Sequence, residues 1–378
     1  MRDKLQWMLV IVVSMALGAA AVVGIDSLRS EPAPQTAISA PTSSTSTSGS
    51  TVSQSTDTGV SDVADLYAKV RPSVVRITGQ NTRSGASGLG SGIVIDDKGH
   101  ILTNNHVVSG FDQIDVTLAD GTSVSAEVVN TDPGNDIALV KVDLPASKLS
   151  PATLGDSSKV RPGELVIAVG NPFGIEGSIT EGIISGVGRT LASGPGRPLR
   201  QLIQADAAIN PGNSGGAMFN ARGEVIGIPT ALENPSGENV FVGIGYAVPI
   251  NTAKRFLPDL LAKRTIEHPR MGIGLQNVTP ALAKRLGISV EQGALVTQVD
   301  TNSAAGRAGM KGGTGVRNST IGDVIVSIDG KEVKTSEDLV DYIDNKKVGD
   351  KVQVKIVRDN KEMTLDVTLD AWKVNTSA

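Results

Sequence analysis

The feature that most constrains the fold of this chain is a succession of short apolar runs separated by glycine-rich turns. Many short strands joined by such turns are typical of an all-β barrel or sandwich. Aromatic residues make up only 3% of the sequence, so the cores are expected to consist of Val, Ile, Leu and Ala. The strand-like runs before residue 250 are Val74–Ile77, Gly92–Ile95, Ile101–Thr103, Ile114–Leu118, Val124–Val129, Ile137–Val142, Leu165–Val169, Ile179–Val187, Gln201–Gln204, Glu224–Ile228 and Phe241–Val248.

The composition argues against several function classes. The 378 residues have a formal net charge of −4, which argues against a general nucleic-acid-binding protein. Because the sequence contains no cysteine, it has no disulfide and no thiolate metal site. Its 3 histidines are scattered and no His-Glu-x-x-His motif is present, so we expect neither a metal ion nor another cofactor.

A candidate nucleophile lies in the segment Asn210-Pro211-Gly212-Asn213-Ser214-Gly215-Gly216. The small residues around Ser214 would let a substrate carbonyl approach the backbone, and glycine takes backbone angles that other residues avoid. Gly212, Asn213 and Ser214 form the candidate oxyanion hole, in which the amides of Gly212 and Ser214 could point at one spot. The alternative is a glycine-rich β-turn in which the serine is only a polar surface residue.

A serine hydroxyl needs a base, and the base needs a carboxylate that orients it. His106 ends an apolar run and Asp136 precedes a strand that looks buried, whereas His100 looks like a hairpin edge and His268 like part of a linker. A single histidine is more often structural, and a single aspartate before a strand more often forms a turn. The order His106, Asp136, Ser214, however, is that of chymotrypsin and not that of subtilisin or the α/β-hydrolases. We therefore predict that these three residues form a catalytic triad.

Four motifs together resemble those of the HtrA (Deg) family of trypsin-like serine endopeptidases. They are Thr103-Asn104-Asn105-His106-Val107-Val108, Asn135-Asp136-Ile137-Ala138-Leu139, Gly170-Asn171-Pro172-Phe173-Gly174 and the serine motif above. The resemblance covers about residues 61–372 and implies a mainly β fold, a chymotrypsin-like double β-barrel with the site in the cleft between the barrels. It also implies a homotrimer or larger assembly, with the helical segment 61–70 as a candidate contact.

The resemblance also implies where substrate specificity resides. In trypsin an aspartate six residues before the nucleophile forms the floor of the specificity pocket; here that position is Ala208, followed by Ile209. We therefore expect cleavage after small or medium apolar residues (Val, Ala, Ile, Leu). Asn213 stands where pancreatic-type proteases have an aspartate that pairs with a newly formed N-terminus. Activity is therefore expected to depend on ordering of the loop Leu191–Pro198.

Residues 1–26 are predicted to anchor the chain in a membrane. The nearly unbroken apolar run Leu5–Ile25 is about as long as the roughly 20 residues that span a bilayer. The basic residues Arg2 and Lys4 before it place the N-terminus in the cytoplasm. A cleaved signal peptide is the alternative, and both interpretations place the remaining chain outside the cytoplasm. Residues 27–60, rich in Ser and Thr, are predicted to be a disordered linker.

Two domains are predicted after the linker. The protease domain is expected over residues 61–264, starting with a helix that Ser61 caps and closing with a helix over 249–262. Pro258 argues against a single unbroken closing helix. Residues 268–372 form the second unit, of about 100 residues, which is a normal domain size.

The second unit resembles an α+β PDZ domain through its motifs Ala304–Met310 and Ile321–Lys331, which a loop insertion at Lys311–Thr320 separates. A PDZ domain binds a peptide C-terminus as an added strand, and backbone amides of a glycine-containing loop hold the carboxylate. The candidate loop is Met271-Gly272-Ile273-Gly274. The candidate apolar wall is Leu339, Val340 and Ile343 on a predicted helix 336–345, although these side chains could simply be core.

The resemblance implies an extracytoplasmic serine endopeptidase that degrades or processes unfolded and damaged proteins and that responds to C-terminal peptides at the PDZ domain. Two alternatives remain open. One is a peptide-binding chaperone or scaffold in which the protease site is secondary. The other is a narrow regulatory protease of one membrane-protein target, which the N-terminal anchor would fit equally well.

Overall fold

The computed structural model describes residues 63–174, 177–191, 197–233, 240–313 and 320–372, with the side chain of Phe173 left out. The predicted anchor, the predicted linker and the Ser61 cap lie outside these residues, as do the middles of the 191–198 loop and of the 311–320 insertion. In the described ranges, no helix combines the length and the apolar character needed to cross a bilayer.

The first half of the protease region is a closed six-stranded antiparallel barrel with strand order β1-β2-β3-β6-β5-β4. Its interior is aliphatic, as the low aromatic content predicted, and includes Ile77, Val94, Ile101, Val116 and Val140. Its strands are β1 Val74–Gln80, β2 Ser87–Val94, β3 His100–Thr103, β4 Gln113–Thr117, β5 Ser123–Asp132 and β6 Ile137–Val142.

The second half repeats this architecture. A sheet in the order β11-β8-β9-β10-β13-β12-β7 closes through an additional pairing of β11 with β12, which leaves β7 parallel to the edge of β12. The predicted runs map onto these strands, but the short strands β7 and β11 were missed. The strands are β7 Thr153–Leu154, β8 Leu165–Gly170, β9 Ser178–Leu191, β10 Leu199–Ala205, β11 Ala217–Asn220, β12 Glu224–Leu232 and β13 Gly245–Pro249. The predicted chymotrypsin-like double barrel is therefore confirmed.

A separate apolar cluster lies between the two barrels and joins them. It combines Ile93 and Leu139 of the first barrel with Ile167 and Phe219 of the second, all of them fully buried. Helix α1, Val63–Val70, adds its buried Leu66 and Val70 to the same cluster, so this face of the helix packs within the chain. Burial of apolar surface from both sides fixes the barrels against each other and so fixes the cleft between them.

The protease region closes with the helix α3, Ile250–Leu261, which runs unbroken through Pro258. The sequence-based doubt about this helix was therefore wrong. Proline removes one backbone donor and strains the preceding turn. The buried face formed by Ile250, Ala253 and Leu260 opposes that cost.

The C-terminal region has its own core and its own sheet, with strand order β15-β16-β17-β19-β20. The structure confirms the predicted α+β PDZ fold. The strands are β14 Pro269–Arg270, β15 Ile273–Val278, β16 Gly293–Val299, β17 Val324–Ile328, β18 Lys331–Glu332, β19 Lys351–Arg358, β20 Lys361–Thr368 and β21 Asp370–Ala371. The helices are α4 Pro280–Leu286, α5 Ala304–Arg307 and α6 Ser336–Asp344; the short helix α2, Asn105–Val108, belongs to the first barrel.

Candidate active site

His106 and Asp136 form a hydrogen-bonded pair at one rim of the first barrel. His106 lies on helix α2, directly after β3, and Asp136 lies in the turn between β5 and β6. His106 Nδ1 lies 2.8 Å from Asp136 Oδ2, and the His106 backbone amide donates to Asp136 Oδ1 at 3.0 Å. The imidazole is half exposed, whereas the carboxylate is 13% exposed. With Nδ1 directed at the carboxylate, Nε2 remains to serve as a base in the cleft.

The Asp136 carboxylate is held from several sides. The Thr230 hydroxyl, on strand β12 of the second barrel, also donates to Oδ2. The Asn104 side chain donates to the Asp136 carbonyl at 2.8 Å. Asp136 itself has a left-handed backbone (φ 54°), which is uncommon for a residue other than glycine. These contacts hold the carboxylate in the orientation that a triad acid requires.

Ser214 follows a tight turn formed by residues 210–213. The Asn213 amide donates to the Asn210 carbonyl at 2.9 Å, and Gly212 has φ 103°. Proline at the second position and a left-handed glycine at the third define a type II turn. The amides of Gly212 and Ser214 donate to no acceptor in the described part of the chain. Because the Asn213 amide is engaged within the turn, only Gly212 and Ser214 of the three predicted oxyanion-hole residues keep an available amide.

Ser91 of strand β2 clamps this turn across the barrel interface, a role that sequence reasoning missed. Its amide donates to the Ser214 carbonyl at 2.8 Å, and its hydroxyl donates to the Gly212 carbonyl at 2.7 Å. The Asn171 amide in turn donates to the Ser91 hydroxyl at 2.9 Å. A Cβ on Gly215 would lie 2.3 Å from the Ser91 carbonyl, so only glycine permits this approach. The Gly-Ser-Gly sequence within a strand was the available signal.

His106 and Ser214 line one cavity of about 370 Å³ between the barrels. Ile209, one of the two candidate pocket residues, also lines it, with Leu89 and Leu232 as further apolar walls. Ala208 does not line the cavity; its carbonyl accepts a hydrogen bond from the Thr180 hydroxyl at 2.9 Å. Apart from His106, the residues that line this cavity have no ionisable side chain of the Asp, Glu, Lys or Arg type.

The turn that carries Asp136 is connected to the C-terminal region by two contacts, one buried and one partly buried. His268 Nε2 lies 2.6 Å from Asp132 Oδ1, and both side chains are buried. His268 is thus packed inside the protein and not part of an exposed linker. Arg197 donates to the Gly134 carbonyl at 2.9 Å and to Asp344 Oδ2 of helix α6 at 2.7 Å. Neither link was visible in the sequence, because each joins residues that are far apart in the chain.

The predicted peptide-binding residues lie around a second cavity, of about 260 Å³. Most of them line it, but Leu339 does not, because it is fully buried in the core of the C-terminal region. Gly272 has φ 77°, and its carbonyl accepts from the Asp300 amide at 3.0 Å, on the side of helix α5. The candidate peptide-binding residues that line the cavity are Met271, Gly272, Ile273, Gly274, Val340 and Ile343.

Comparison with known families and proteins agrees with this architecture. The chain matches the family described as Trypsin-like peptidase domain over residues 90–228 and the PDZ domain over residues 269–369. It is 38% identical over 317 residues to Protease Do-like 1, chloroplastic, of Arabidopsis thaliana, covering 81% of this chain and 71% of that protein. It is 41% identical over 282 residues to a probable periplasmic serine endoprotease DegP-like of Brucella suis, covering 75% of this chain.

The chain spans only 52% of that Brucella protein, about half its length. Among solved structures, the HtrA-type protease AlgW with tripeptide superposes with a TM-score of 0.72 at 33% identity, covering 84% of this chain and 99% of that one. The double barrel, the triad-like cleft and the following PDZ domain all agree with these matches, and the chain belongs to the HtrA family of trypsin-like serine proteases.

Proposed function

We propose that this protein is a serine endopeptidase whose triad is His106, Asp136 and Ser214. The observation that carries the proposal is the cleft itself. Ser214 follows a turn with two available amides and lines the same cavity as a histidine that a buried carboxylate orients. The serine motif, the base and the acid come from two separate barrels, so a simple surface turn would not account for their convergence.

In the proposed mechanism, Ser214 Oγ attacks the carbonyl carbon of the scissile bond while His106 Nε2 accepts the hydroxyl proton. Asp136 accepts the hydrogen bond from Nδ1 and stabilises the imidazolium that forms. The amides of Gly212 and Ser214 donate to the oxyanion of the tetrahedral intermediate. His106 then returns the proton to the leaving amine, and a water molecule hydrolyses the acyl-enzyme by the same steps. All of these groups belong to the chain.

The turn geometry gives a direct test of the oxyanion hole. Gly212→Ala is expected to lower kcat by roughly 10²- to 10³-fold with little change in KM, because one oxyanion donor is misplaced. Alanine strongly disfavours φ 103°, so the turn should rearrange and turn its amide away from the cleft. Steady-state kinetics on a fluorogenic peptide measures both constants.

Gly121→Ala is the matched control, because Gly121 also has a left-handed backbone (φ 84°) with open space around it. It should cost similar backbone strain and leave kcat unchanged. An equal loss of kcat in both variants would mean that general destabilisation, and not the oxyanion hole, explains the effect.

The uncharged cleft supports a proposal about specificity. We expect digestion of unfolded casein to yield many cleavage sites, predominantly after Val, Ala, Ile and Leu. A basic side chain would find no counter-charge beside Ile209, Leu89 and Leu232. Mass spectrometry of the products identifies the sites, with Ser214→Ala as the blank. Predominant cleavage after Lys or Arg would contradict the proposal, whereas one single cleavage would favour a narrow regulatory protease.

The proposed setting is extracytoplasmic, with unfolded or damaged proteins as substrates. The apolar run Leu5–Ile25 and the word periplasmic in the name of the Brucella relative support it. We further propose an uncleaved membrane anchor and a trimeric or larger assembly, as the family resemblance implies. A chaperone or scaffold role remains the second candidate, since the groove of the PDZ domain could bind peptides without proteolysis.

We also propose that peptides at the PDZ groove regulate the triad through Arg197. Its guanidinium joins Asp344 of helix α6 to the Gly134 carbonyl and to Asn135 Oδ1. Asn135 directly precedes Asp136, so a shift of helix α6 reaches the triad acid through one side chain. Arg197→Met should bring the ratio of peptide-stimulated to basal activity close to one, because this connection is lost.

Casein hydrolysis with and without a peptide that ends in apolar residues measures this ratio. Arg264→Met is the control, since Arg264 pairs through its side chain with Asp259 in the protease region itself. A normal stimulation ratio in Arg197→Met would exclude the Arg197 route, even if basal activity fell.

A further inference from the structure

The groove of the PDZ domain is not formed by that domain alone. Its cavity lies between strand β15 and helix α6, and two arginines of the protease region, Arg197 and Arg200, also line it. Arg200 belongs to strand β10 of the second barrel. A peptide bound in this groove would therefore contact both domains at once.

The three arginines that line the groove differ in how they are paired. The Arg197 guanidinium already forms an ion pair with Asp344 at 2.7 Å. Arg270 lies 3.5 Å from Asp300, beside the candidate carboxylate-binding loop, and its buried Nε donates to no described acceptor. The Arg200 side chain makes no ion pair or hydrogen bond with any described residue, although Asp344, Asp341 and Glu337 of helix α6 attract its charge from a greater distance; burial lowers the pKa of its guanidinium. Because these three acidic side chains form no ion pair with Arg200, a peptide carboxylate can still compete with them for its guanidinium.

Strand geometry indicates where a second negative charge would lie. A peptide added beside β15 would have side chains that alternate between the two faces of the sheet. Its last side chain would enter the apolar pocket of Met271, Val340 and Ile343, and its terminal carboxylate would lie near Gly272 and Arg270. The side chain before the last would then point away from the PDZ core, and Arg200 of the protease region is a cation that lines the same cavity from outside that core.

We infer that Arg200 selects C-terminal peptides with an acidic residue directly before an apolar last residue. This inference rests on the proposed peptide-binding role of the groove. Arginine suits the task because its planar guanidinium can hold a carboxylate by two parallel hydrogen bonds. Partial desolvation in the groove strengthens such a contact relative to one on an open surface.

Binding of short fluorescein-labelled peptides, followed by fluorescence anisotropy, tests the inference. The full chain carrying Ser214→Ala is used so that the probes are not cleaved. Peptides that differ only in ending with Glu-Val, Gln-Val or Lys-Val are compared. The Glu-Val peptide is expected to bind about tenfold more tightly than the Gln-Val peptide, with Lys-Val weakest, as for a charge-assisted contact between partly desolvated groups.

Two added substitutions assign the effect to Arg200. Arg200→Gln should abolish the preference by weakening only the Glu-Val peptide, and Arg200→Lys should keep part of it because the charge remains. Arg285→Gln is the matched control on the exposed side of helix α4, and it should leave all three affinities unchanged. Unchanged affinities in Arg285→Gln would show that removing an arginine elsewhere in the domain does not abolish the preference for the Glu-Val peptide.

The possible outcomes distinguish the role of Arg200 from the proposed peptide-binding role of the groove. Equal affinity for Glu-Val and Gln-Val, with clear binding of both, would overturn the role of Arg200 and leave the groove as a peptide site. Retention of the preference in Arg200→Gln, with normal binding of Gln-Val, would overturn that role as well. Absence of binding for all three peptides would overturn the groove as a peptide site and the inference with it.

Discussion

Ser214→Ala is expected to lower kcat for casein or peptide hydrolysis by roughly 10⁶-fold, the loss found when the nucleophile of a serine triad is removed. Without Oγ there is no acyl-enzyme, and His106 has no hydroxyl proton to accept. KM should change little, because the cleft walls formed by Leu89, Ile209 and Leu232 remain. The residual rate would come from the amides of the oxyanion hole and from substrate binding alone.

Such a small residual rate is measured by following product formation by the purified enzyme over long incubations. Ser289→Ala is the matched control, because Ser289 is an exposed serine of the PDZ region far from the cleft in sequence and outside its lining. Retention of more than a tenth of the activity in Ser214→Ala would rule out the proposed nucleophile. Retained suppression of aggregation in the same variant would favour an additional chaperone role.

Asp136→Asn is expected to lower kcat by roughly 10⁴-fold, with KM nearly unchanged. In the native protein both carboxylate oxygens accept hydrogen bonds, from His106 Nδ1, the His106 amide and the Thr230 hydroxyl. An asparagine offers only one acceptor oxygen, and its NH₂ group would face a donor. If that group faces Nδ1, the imidazole must carry its proton on Nε2, where it cannot accept one from Ser214.

The pH dependence of kcat distinguishes a disturbed base from a disturbed fold, since only the former changes the shape of the profile. Asp143→Asn serves as the control, because Asp143 is exposed just after strand β6 in the same barrel. A wild-type profile with wild-type kcat in Asp136→Asn would remove Asp136 from the mechanism. A lowered melting temperature alone, with kcat per folded molecule preserved, would assign it a structural role.

The features that the sequence predicted well are those that depend on short stretches of chain. Most strands follow from local runs of Val, Ile and Leu. The type II turn before Ser214 was not predicted as such, although proline and glycine at adjacent positions explain it. Strand β11, Ala217–Asn220, was missed because it contains no β-branched residue and because alanine and asparagine are depleted in strands. Helix α3 continued through Pro258 because burial of one face outweighed local propensity, which the sequence does not reveal.

The contacts that support the site were not predictable, because they connect distant parts of the chain. Ser91 meets the turn of Ser214 over 120 residues away, and Arg197 joins Gly134 to Asp344. His268 was interpreted as a linker residue because proline follows it, although the structure buries its ring against Asp132. Such pairings depend on how the barrels and the PDZ domain pack, and one sequence carries no direct signal of that packing.

The buried pair of His268 and Asp132 changes where the enzyme should be divided for engineering. A protease fragment that ends at residue 264, the boundary drawn from sequence, would remove the imidazole and leave a buried aspartate without its partner. Loss of one partner of a buried pair is destabilising, and Asp132 also accepts hydrogen bonds from the turn that presents Asp136, so a disturbance at Asp132 would reach that turn. The smallest unit that keeps the turn of Asp136 supported therefore extends through His268, so fusion partners and truncation points belong beyond the first strand of the PDZ region.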